Sequence, residues 1–265
     1  MVRNDTYCTE STPNAYNTNW LSNLSDRRIS EITIPGTHDT CCRNTIELAE
    51  TQAWSLRDQL WAGLRYFDIR CRHFHDTFCI HHGLIYCNII FSEVLEIIQN
   101  FFKENPMEFV VMRIKEEYKA EENTRTFQET FQSYINAYPN LFYFSNNVPL
   151  LSEVRGKIFV LRGFSFSEGY NYNDCDIQDY YDLGTGSNLD KKKDLIKKQI
   201  ENSNFGDSKK FYLNHCSGTG WACYPYYVAK NTNPVPYSLN ARMGIIIMDF
   251  PGEKLIKHLI DQNKP

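Results

Sequence analysis

Several features that mark other classes of protein are missing from this 265-residue chain. No apolar run reaches the roughly 18 residues of a membrane-spanning helix, and residues 1–19 hold no hydrophobic signal core. The net charge is −4, so we expect no nucleic-acid partner, and any attraction to phosphate must be local. No repeat, low-complexity tract or linker divides the sequence. We therefore expect one globular domain over residues 1–265, with 1–23 as an N-terminal extension.

Paired CxxC motifs are also missing, although the chain contains nine cysteines. This spacing disfavours a zinc knuckle. Two interpretations of the cysteines stay open: buried free thiols in a cytoplasmic protein, or disulfides in a secreted one. The compartment is therefore undecided. His73 and His75, two residues apart, leave a metal site as a further alternative.

Strand-like apolar runs alternate with helical patterns along most of the chain. The predicted strands are Glu31–Ile34, Arg65–Cys71, Phe78–His81, Phe109–Ile114, Lys157–Leu161, Lys210–Asn214 and Gly244–Met248. The predicted helices are Ser92–Lys103, Thr124–Tyr138, Lys191–Glu201 and Glu253–Gln262. This alternation predicts an α/β fold, a TIM-type (β/α) barrel that is distorted or incomplete. Functional sites of such barrels lie at the carboxyl ends of the strands.

Four short strings place polar residues at or just beyond the ends of predicted strands. They are Ile34-Pro35-Gly36-Thr37-His38-Asp39-Thr40, Phe67-Asp68-Ile69-Arg70, His81-His82-Gly83 and Met248-Asp249-Phe250. Together they offer imidazoles, carboxylates and a fixed positive charge. These groups can deprotonate a hydroxyl, protonate a leaving alkoxide and neutralise a phosphate between them.

The histidines in these strings also have structural interpretations. His38, with Asp39 beside it, is either a proton acceptor or a hydrogen-bonded structural histidine. Adjacent strand residues face opposite sides, so at most one of His81 and His82 should reach a shared site. Asp249 ends a very apolar strand, where a carboxylate can orient a histidine.

The Phe67-Asp68-Ile69-Arg70 string likewise has two interpretations. Side chains alternate along a strand, so Asp68 and Arg70 should point the same way. The arginine either grips a phosphate with two donors or forms a structural ion pair on the barrel wall. This string alone does not decide between them.

Taken together, the strings resemble the phosphatidylinositol-specific phospholipase C family, X-domain type, and most of all its single-domain, metal-independent bacterial branch. The resemblance runs from about Leu24 to Gln262. The ordered combination of IPGTHD, FDIR and HHG is specific, whereas any one string is weak. The resemblance implies cleavage of phosphatidylinositol, and of glycosylphosphatidylinositol anchors as a further possibility, to diacylglycerol and inositol 1,2-cyclic phosphate.

The resemblance also implies roles for the residues of the strings. His38 would be the general base for the inositol 2-hydroxyl. His82 would be the general acid for the leaving oxygen, held and charged by Asp249. Arg70 would stabilise the phosphorane, positioned by Asp39. The remaining matches are a further active-site carboxylate, Asp68, and the headgroup contacts Lys115, Asp179 and Tyr181.

The chain departs from the bacterial pattern at one headgroup position. Gly163 stands where the bacterial enzymes have an arginine, and Arg162 stands where they have a lysine. Arg162 is a candidate substitute for the missing contact, although as a neighbour it should start on the opposite face of the strand.

Arg70 also bears on cofactors. Calcium-dependent relatives place acidic ligands at this position and an asparagine after the first histidine, where this chain has Asp39. The resemblance therefore implies activity without a metal or other cofactor. Two alternatives are a metal-dependent, glycerophosphodiesterase-like barrel and a catalytically silent inositol-lipid-binding module. The acidic pattern of the first is absent, and the second would not need the full set of catalytic groups.

Contact with phosphatidylinositol requires a membrane surface, so we expect a peripheral protein and a monomer. Two aromatic segments predict a rim that enters the lipid interface, with core packing as the alternative. The rim residues are Phe164, Phe166, Trp221 and Tyr224. A lysine cluster faces either anionic lipid or solvent. It consists of Lys191, Lys192, Lys193, Lys197 and Lys198.

Overall fold

The structure, a computed structural model, describes residues 13–221 and 223–263. Its strands are β1 (Ile34–Thr37), β2 (Tyr66–Phe74), β3 (Thr77–His82), β4 (Ile85–Ile90), β5 (Val110–Glu116), β6 (Phe142–Tyr143), β7 (Ile158–Gly163), β8 (Tyr170–Asn171), β9 (Asp176–Gln178), β10 (Tyr212–His215) and β11 (Ile245–Met248). Its α-helices are α1 (Leu56–Ala62), α2 (Phe91–Glu104), α3 (Phe127–Ala137), α4 (Leu151–Val154), α5 (Leu189–Phe205), α6 (Pro225–Thr232), α7 (Pro234–Tyr237) and α8 (Glu253–Asp261). Short 3-10 helices cover Trp20–Asn23, Ile29–Glu31 and Tyr172–Asp174.

All the strands belong to one sheet, and most of them run parallel. The order along the sheet is β6-β7-β5-β2-β1-β11-β10-β9, and β8 lies beside β7 on the same edge as β6. Within the described residues no ladder joins β9 to β6 or β8, so the barrel is open on that side. The 3-10 helix Tyr172–Asp174 connects the two edges. The predicted fold class, an incomplete TIM-type (β/α) barrel, is confirmed.

Alternation of side chains sorts the apolar residues into two layers. One cluster fills the barrel interior with residues such as Ile34, Tyr66 and Val111. The other lies between the sheet and the helices and includes Phe67 and Met112, the sequence neighbours of the inward-facing residues. Because successive strand residues point to opposite faces, a residue's position in the strand decides whether it can reach the barrel axis.

The long strand β2 leaves the barrel and forms a hairpin. Its second half pairs antiparallel with β3, which in turn pairs antiparallel with β4. This excursion brings His82, the last residue of β3, back toward the carboxyl ends of the parallel strands.

Some predicted boundaries differ from those observed. Strand β1 extends past the predicted end at Ile34, so that Pro35 and Gly36 lie inside it and pair in register with β11. Helix α2 begins at Phe91, one residue before the predicted start at Ser92, and the side chain of Glu93 accepts a hydrogen bond from the backbone of Ile90 at this end. The strand β4 was not predicted because its sequence lacks clear alternation. Among the described helices none has the length and apolar character needed to cross a bilayer.

A buried ion pair fastens residues 13–23 to the amino end of the barrel. The side chains of Arg65 and Glu108 are fully buried, and Arg65 Nε donates to Glu108 Oε2 at 2.8 Å. Arg65 Nη2 also donates to the carbonyl of Thr18 at 2.7 Å, and the backbone of Leu21 donates to Glu108 Oε1 at 2.9 Å. One carboxylate therefore joins β2, the loop before β5 and the N-terminal segment.

Replacing Glu108 with glutamine should lower the free energy of unfolding by about 3 kcal/mol, because it leaves the buried guanidinium of Arg65 without a counter-charge. Urea denaturation measures this change. The exposed Glu104→Gln serves as the control and should stay within about 0.5 kcal/mol of the original chain. Equal stabilities of the two variants would contradict the importance of the pair.

Candidate active site

A cavity of about 460 Å³ opens at the carboxyl ends of the barrel strands. The side chains around it include both charged and apolar residues. The lining residues are His38, Leu48, Thr51, Arg70, His82, Arg113, Lys115, Asp179, Tyr181, Ser217, Gly218, Thr219, Pro225 and Asp249. The four strings singled out in the sequence thus meet at one place.

His38 and Asp249 form a hydrogen-bonded pair. Their Nδ1 and Oδ1 atoms are 2.9 Å apart. Strands β1 and β11 are adjacent, with Thr37 in register with Met248, so the next residue of each strand points into the barrel side by side. The prediction that Asp249 holds His82 is wrong, because His82 arrives on the hairpin rather than on a strand next to β11.

The carboxylate of Asp39 lies between the catalytic candidates. Its Oδ2 is 2.8 Å from Arg70 Nη1, 3.3 Å from His38 Nε2 and 3.5 Å from His82 Nε2. Asp39 adopts a left-handed backbone conformation, with φ of 39°, that turns its side chain toward this point. Burial raises its pKa to about 7, although the charges of Arg70 and His82 oppose the shift.

Asp68 binds two arginines with its two oxygens. Arg70 Nε and Nη2 lie 3.1 and 3.0 Å from Asp68 Oδ2, and Arg113 Nη1 lies 3.3 Å from Oδ1. Burial by itself would raise the pKa of Asp68, but the positive charges of the two arginines outweigh it and hold the pKa well below its ordinary value. The predicted shared orientation of Asp68 and Arg70 is therefore observed, and the pair faces inward.

The two histidines differ in protonation because their surroundings differ. Burial, and then the charge of Arg70, lowers the pKa of His38, so its imidazole is neutral at rest. Burial also raises the pKa of Asp249, because a charged carboxylate is disfavoured away from water. At His82 the Cys42 thiol and the Asp39 carboxylate outweigh burial and raise the pKa to about 9.

His82 is positioned by the loop after β1. Its Nδ1 donates to the carbonyl of Ala49 at 2.9 Å and lies 3.8 Å from the sulfur of Cys42. Nε2 is thereby directed toward Asp39. His81 points away, as alternation predicts, and packs against Tyr86 with 5.6 Å between ring centroids.

Three of the four predicted headgroup residues line the cavity. Lys115 does so while its Nζ contacts Glu117 Oε2 at 2.6 Å, and Asp179 and Tyr181 follow the end of β9. Arg162 does not line it: its Nε donates to the carbonyl of Gly169 at 3.1 Å on the outer face of β7. The prediction for Arg162 is wrong because the alternation of the strand turns it away from the axis.

Three residues near the site were missed by the sequence interpretation. Arg113 is two residues before Lys115, so alternation on β5 could have found it. His215 ends β10 one residue beyond the predicted strand. Tyr172 is buried, and its hydroxyl lies 2.9 Å from His215 Nε2. No signal in the sequence marks Tyr172, because it reaches the interior through the opening between β8 and β9.

The residues of the predicted aromatic rim lie in two different environments. Phe164 and Phe166 pack on Phe131 of α3, each with 5.2 Å between ring centroids, so core packing rather than membrane contact describes them. Trp221 is 95% exposed, and the half-buried Tyr224 lies next to Tyr227.

The lysine cluster does not present a single charged face. Lys192 is fully buried and donates to Gln178 Oε1 at 3.3 Å. Lys193 and Lys197 approach aspartates of the same helix at 3.0 and 3.9 Å, and Lys191 lies over the ring of Tyr180. Solvent exposure with local ion pairing describes the cluster better than a lipid-binding face.

The structure also bears on the alternatives left open for the cysteines and for a metal site at His73 and His75. The eight cysteines among the described residues are free thiols, and Cys8 lies outside those residues. His73 Nε2 lies 2.9 Å from Thr130 Oγ1, whereas His75 contacts Glu122 on the surface. Residues 13–221 and 223–263 contain no group of three or more histidine, cysteine or acidic side chains arranged to hold a metal ion.

A parallel barrel with this arrangement of paired histidines, arginine and carboxylates at its carboxyl end defines an acid–base catalyst of the α/β-barrel class. The family model described as phosphatidylinositol-specific phospholipase C, X domain, matches residues 26–163, just over half of the chain. The chain belongs to this family.

Relatives from two bacteria match nearly the whole chain. A 1-phosphatidylinositol phosphodiesterase of Listeria monocytogenes is 36% identical over 92% of this chain and 84% of its own length. One of Staphylococcus aureus is 28% identical over 93% of this chain and 94% of its own. The solved phosphatidylinositol-specific phospholipase C of Listeria monocytogenes superposes with a TM-score of 0.83 at 32% identity, covering 95% of this chain and all of the other.

Replacing Asp39 with asparagine should lower the pKa of His82 from about 9 toward its ordinary value, because the Asp39 carboxylate helps to raise it. An NMR titration of the His82 imidazole measures the shift. Asp249→Asn is the matched control and should move the pKa of His82 less, since Asp249 contacts His38. A larger effect of Asp249→Asn would instead support the sequence-based prediction that Asp249 holds His82.

Proposed function

We propose that this chain cleaves phosphatidylinositol to diacylglycerol and inositol 1,2-cyclic phosphate by general acid–base catalysis. One barrel domain carries the activity, with residues 1–23 as an N-terminal extension. The observation that supports this most is the pair of histidines, whose ring centroids are 6.4 Å apart, with one carboxylate, Asp39, between them, a second, Asp249, on His38, and Arg70 nearby.

His38 acts as the base. Its Nδ1 proton is directed at Asp249, so Nε2 carries the free electron pair that takes the proton of the inositol 2-hydroxyl. The oxygen then attacks phosphorus, and the new imidazolium is stabilised by the buried carboxylate of Asp249.

His82 acts as the acid. Its raised pKa, about 9, keeps it charged at neutral pH, and its Nε2 proton passes to the oxygen of the departing diacylglycerol. Arg70 stabilises the negative charge on the phosphate oxygens, and Asp39 and Asp68 fix its guanidinium from two sides.

We further propose that the reaction needs no metal. The guanidinium of Arg70 supplies a permanent positive charge at the place where a phosphate would lie between the histidines. It already pairs with two carboxylates that would otherwise attract a metal cation.

The chain should meet its lipid at a membrane surface through apolar residues at the cavity mouth. Leu48 and Tyr181 line the cavity and are 74% and 61% exposed, and Trp221 extends further into solvent. Apolar and aromatic side chains at such a position enter the lipid interface at little cost. We propose Trp221, Leu48 and Tyr181, with Tyr224 behind them, as the contact surface.

Incubation with phosphatidylinositol vesicles should release cyclic inositol phosphate at the same rate with and without a chelator. His38→Ala and His82→Ala should each reduce kcat by about 10²- to 10⁴-fold, the usual contribution of a positioned acid or base. Activity that disappears in chelator and returns with calcium would point to the metal-dependent alternative. Vesicle binding without product would point to a lipid-binding module.

The pH profile of the same reaction should be bell-shaped. The acidic limb should lie below the ordinary pKa of histidine, since His38 must be neutral, and the alkaline limb near pH 9, since His82 must be charged. Near-normal rates in both alanine variants would overturn the assigned roles.

Trp221→Ala should weaken binding to phosphatidylinositol vesicles by about tenfold, because partial burial of a large apolar side chain contributes on the order of 1.5 kcal/mol. Sedimentation of the protein with vesicles measures binding. Phe205→Ala is the control, since Phe205 is 86% exposed at the opposite end of the barrel, at the end of α5 that precedes β10. Equal binding of the two variants would exclude Trp221 from the contact surface.

A further inference from the structure

Strand β5 presents two cations to the cavity, one above the other. Lys115 and Arg113 are separated by one residue, so both side chains face the barrel axis, and both line the cavity. The Arg113 side chain is 11% exposed, lies one layer deeper than Lys115 and belongs to none of the four strings. The acid–base steps described above do not use it.

The guanidinium of Arg113 is held rigidly. Nη1 is 3.3 Å from Asp68 Oδ1, and the guanidinium carbon lies 3.8 Å above the ring of Tyr172. Tyr172 is fixed in turn by its hydroxyl, which donates to His215 Nε2 at 2.9 Å. Burial lowers the pKa of His215 to about 4, so it is neutral and can accept this hydrogen bond.

Among the described residues, not every hydrogen-bond donor of this rigid guanidinium has a partner. Within the described residues Arg113 Nε is buried without a hydrogen-bond partner, and so is Nδ1 of the neighbouring His215. Buried donors are nearly always paired, so unpaired ones beside a cavity indicate that a ligand or water completes the arrangement.

The neighbouring strand contributes no side chain at this level. Gly163 of β7 pairs in register with Lys115, and a Cβ placed on it would lie 3.0 Å from the carbonyl of Ile114. Arg162 turns outward, as described above. On this side of the cavity, β5 therefore supplies the cations Arg113 and Lys115, next to Arg70 of β2.

We propose that Arg113 is a specificity-determining residue that donates to hydroxyls of the inositol ring on the side away from the phosphate. The inference rests on the proposed function. The cavity is lined by Arg113 and Lys115 as donors and by Asp179 as an acceptor. Hydroxyls both donate and accept, so they suit this mixture, whereas a second phosphate would meet the charge of Asp179 and an arginine already paired with Asp68.

Replacing Arg113 with methionine removes the donors but keeps most of the side-chain length. The dissociation constant for myo-inositol, measured by ligand-observed NMR, should rise by about ten- to a hundredfold, the range for a hydrogen bond from a charged donor. Arg125→Met is the matched control, because Arg125 also pairs with an aspartate, Asp76, but on the surface away from the cavity. Its inositol affinity should be unchanged.

A panel of monodeoxy-inositols identifies the contact. In the original chain the analogue lacking the recognised hydroxyl should bind about tenfold more weakly than myo-inositol or worse, and in Arg113→Met this difference should vanish. If the methionine variant does not fold, Arg113→Lys retains a charge beside Asp68 and should change the order of affinities within the panel.

Unchanged affinity for myo-inositol in Arg113→Met, or an unchanged order in Arg113→Lys, would overturn the inference, even if kcat fell through Asp68 and Arg70. A wrong proposed function would give a different result from a wrong role for Arg113. In that case the original chain would release no cyclic inositol phosphate from vesicles.

Discussion

The site depends on one buried carboxylate between two arginines. Asp68 is almost fully excluded from water, and its two oxygens face Arg70 and Arg113. Two guanidinium groups could not be buried so close together without a charge between them. Asp68 also accepts from the backbone of Asp39 at 3.3 Å, so the end of β1 is tied to the end of β2. His38, Arg70 and Arg113 are therefore all positioned through a single side chain.

The opposite pKa shifts of His38 and His82 follow from where each histidine lies in the fold. His38 ends a strand of the barrel, where burial and a nearby cation disfavour a proton. His82 ends a strand of the hairpin, where a carboxylate, a thiol and the carbonyl of Ala49 favour one. The same residue type is thus prepared to accept a proton in one place and to hold one in the other, as the proposed base and acid require.

Local patterns predicted the barrel, the shared orientation of Asp68 and Arg70, and the meeting of the four strings. They could not predict that Asp249 serves His38, because this depends on β11 lying next to β1, and sheet order is a long-range property. Alternation was sufficient to place Arg162 outward. The burial of Phe164 and Lys192 depends on packing against other elements, which the composition of their own segments does not reveal.

The hairpin that carries His82 affects how this protein loses activity when it is heated or denatured. It lies outside the parallel ladder and reaches the site through contacts with the loop after β1, chiefly the hydrogen bond to Ala49. Peripheral elements of this kind open locally at lower free energy than the core of a barrel. Heat or denaturant would therefore separate His82 from His38 while the barrel is still folded. Inactivation would be a subglobal event, reversible on cooling, that precedes cooperative unfolding.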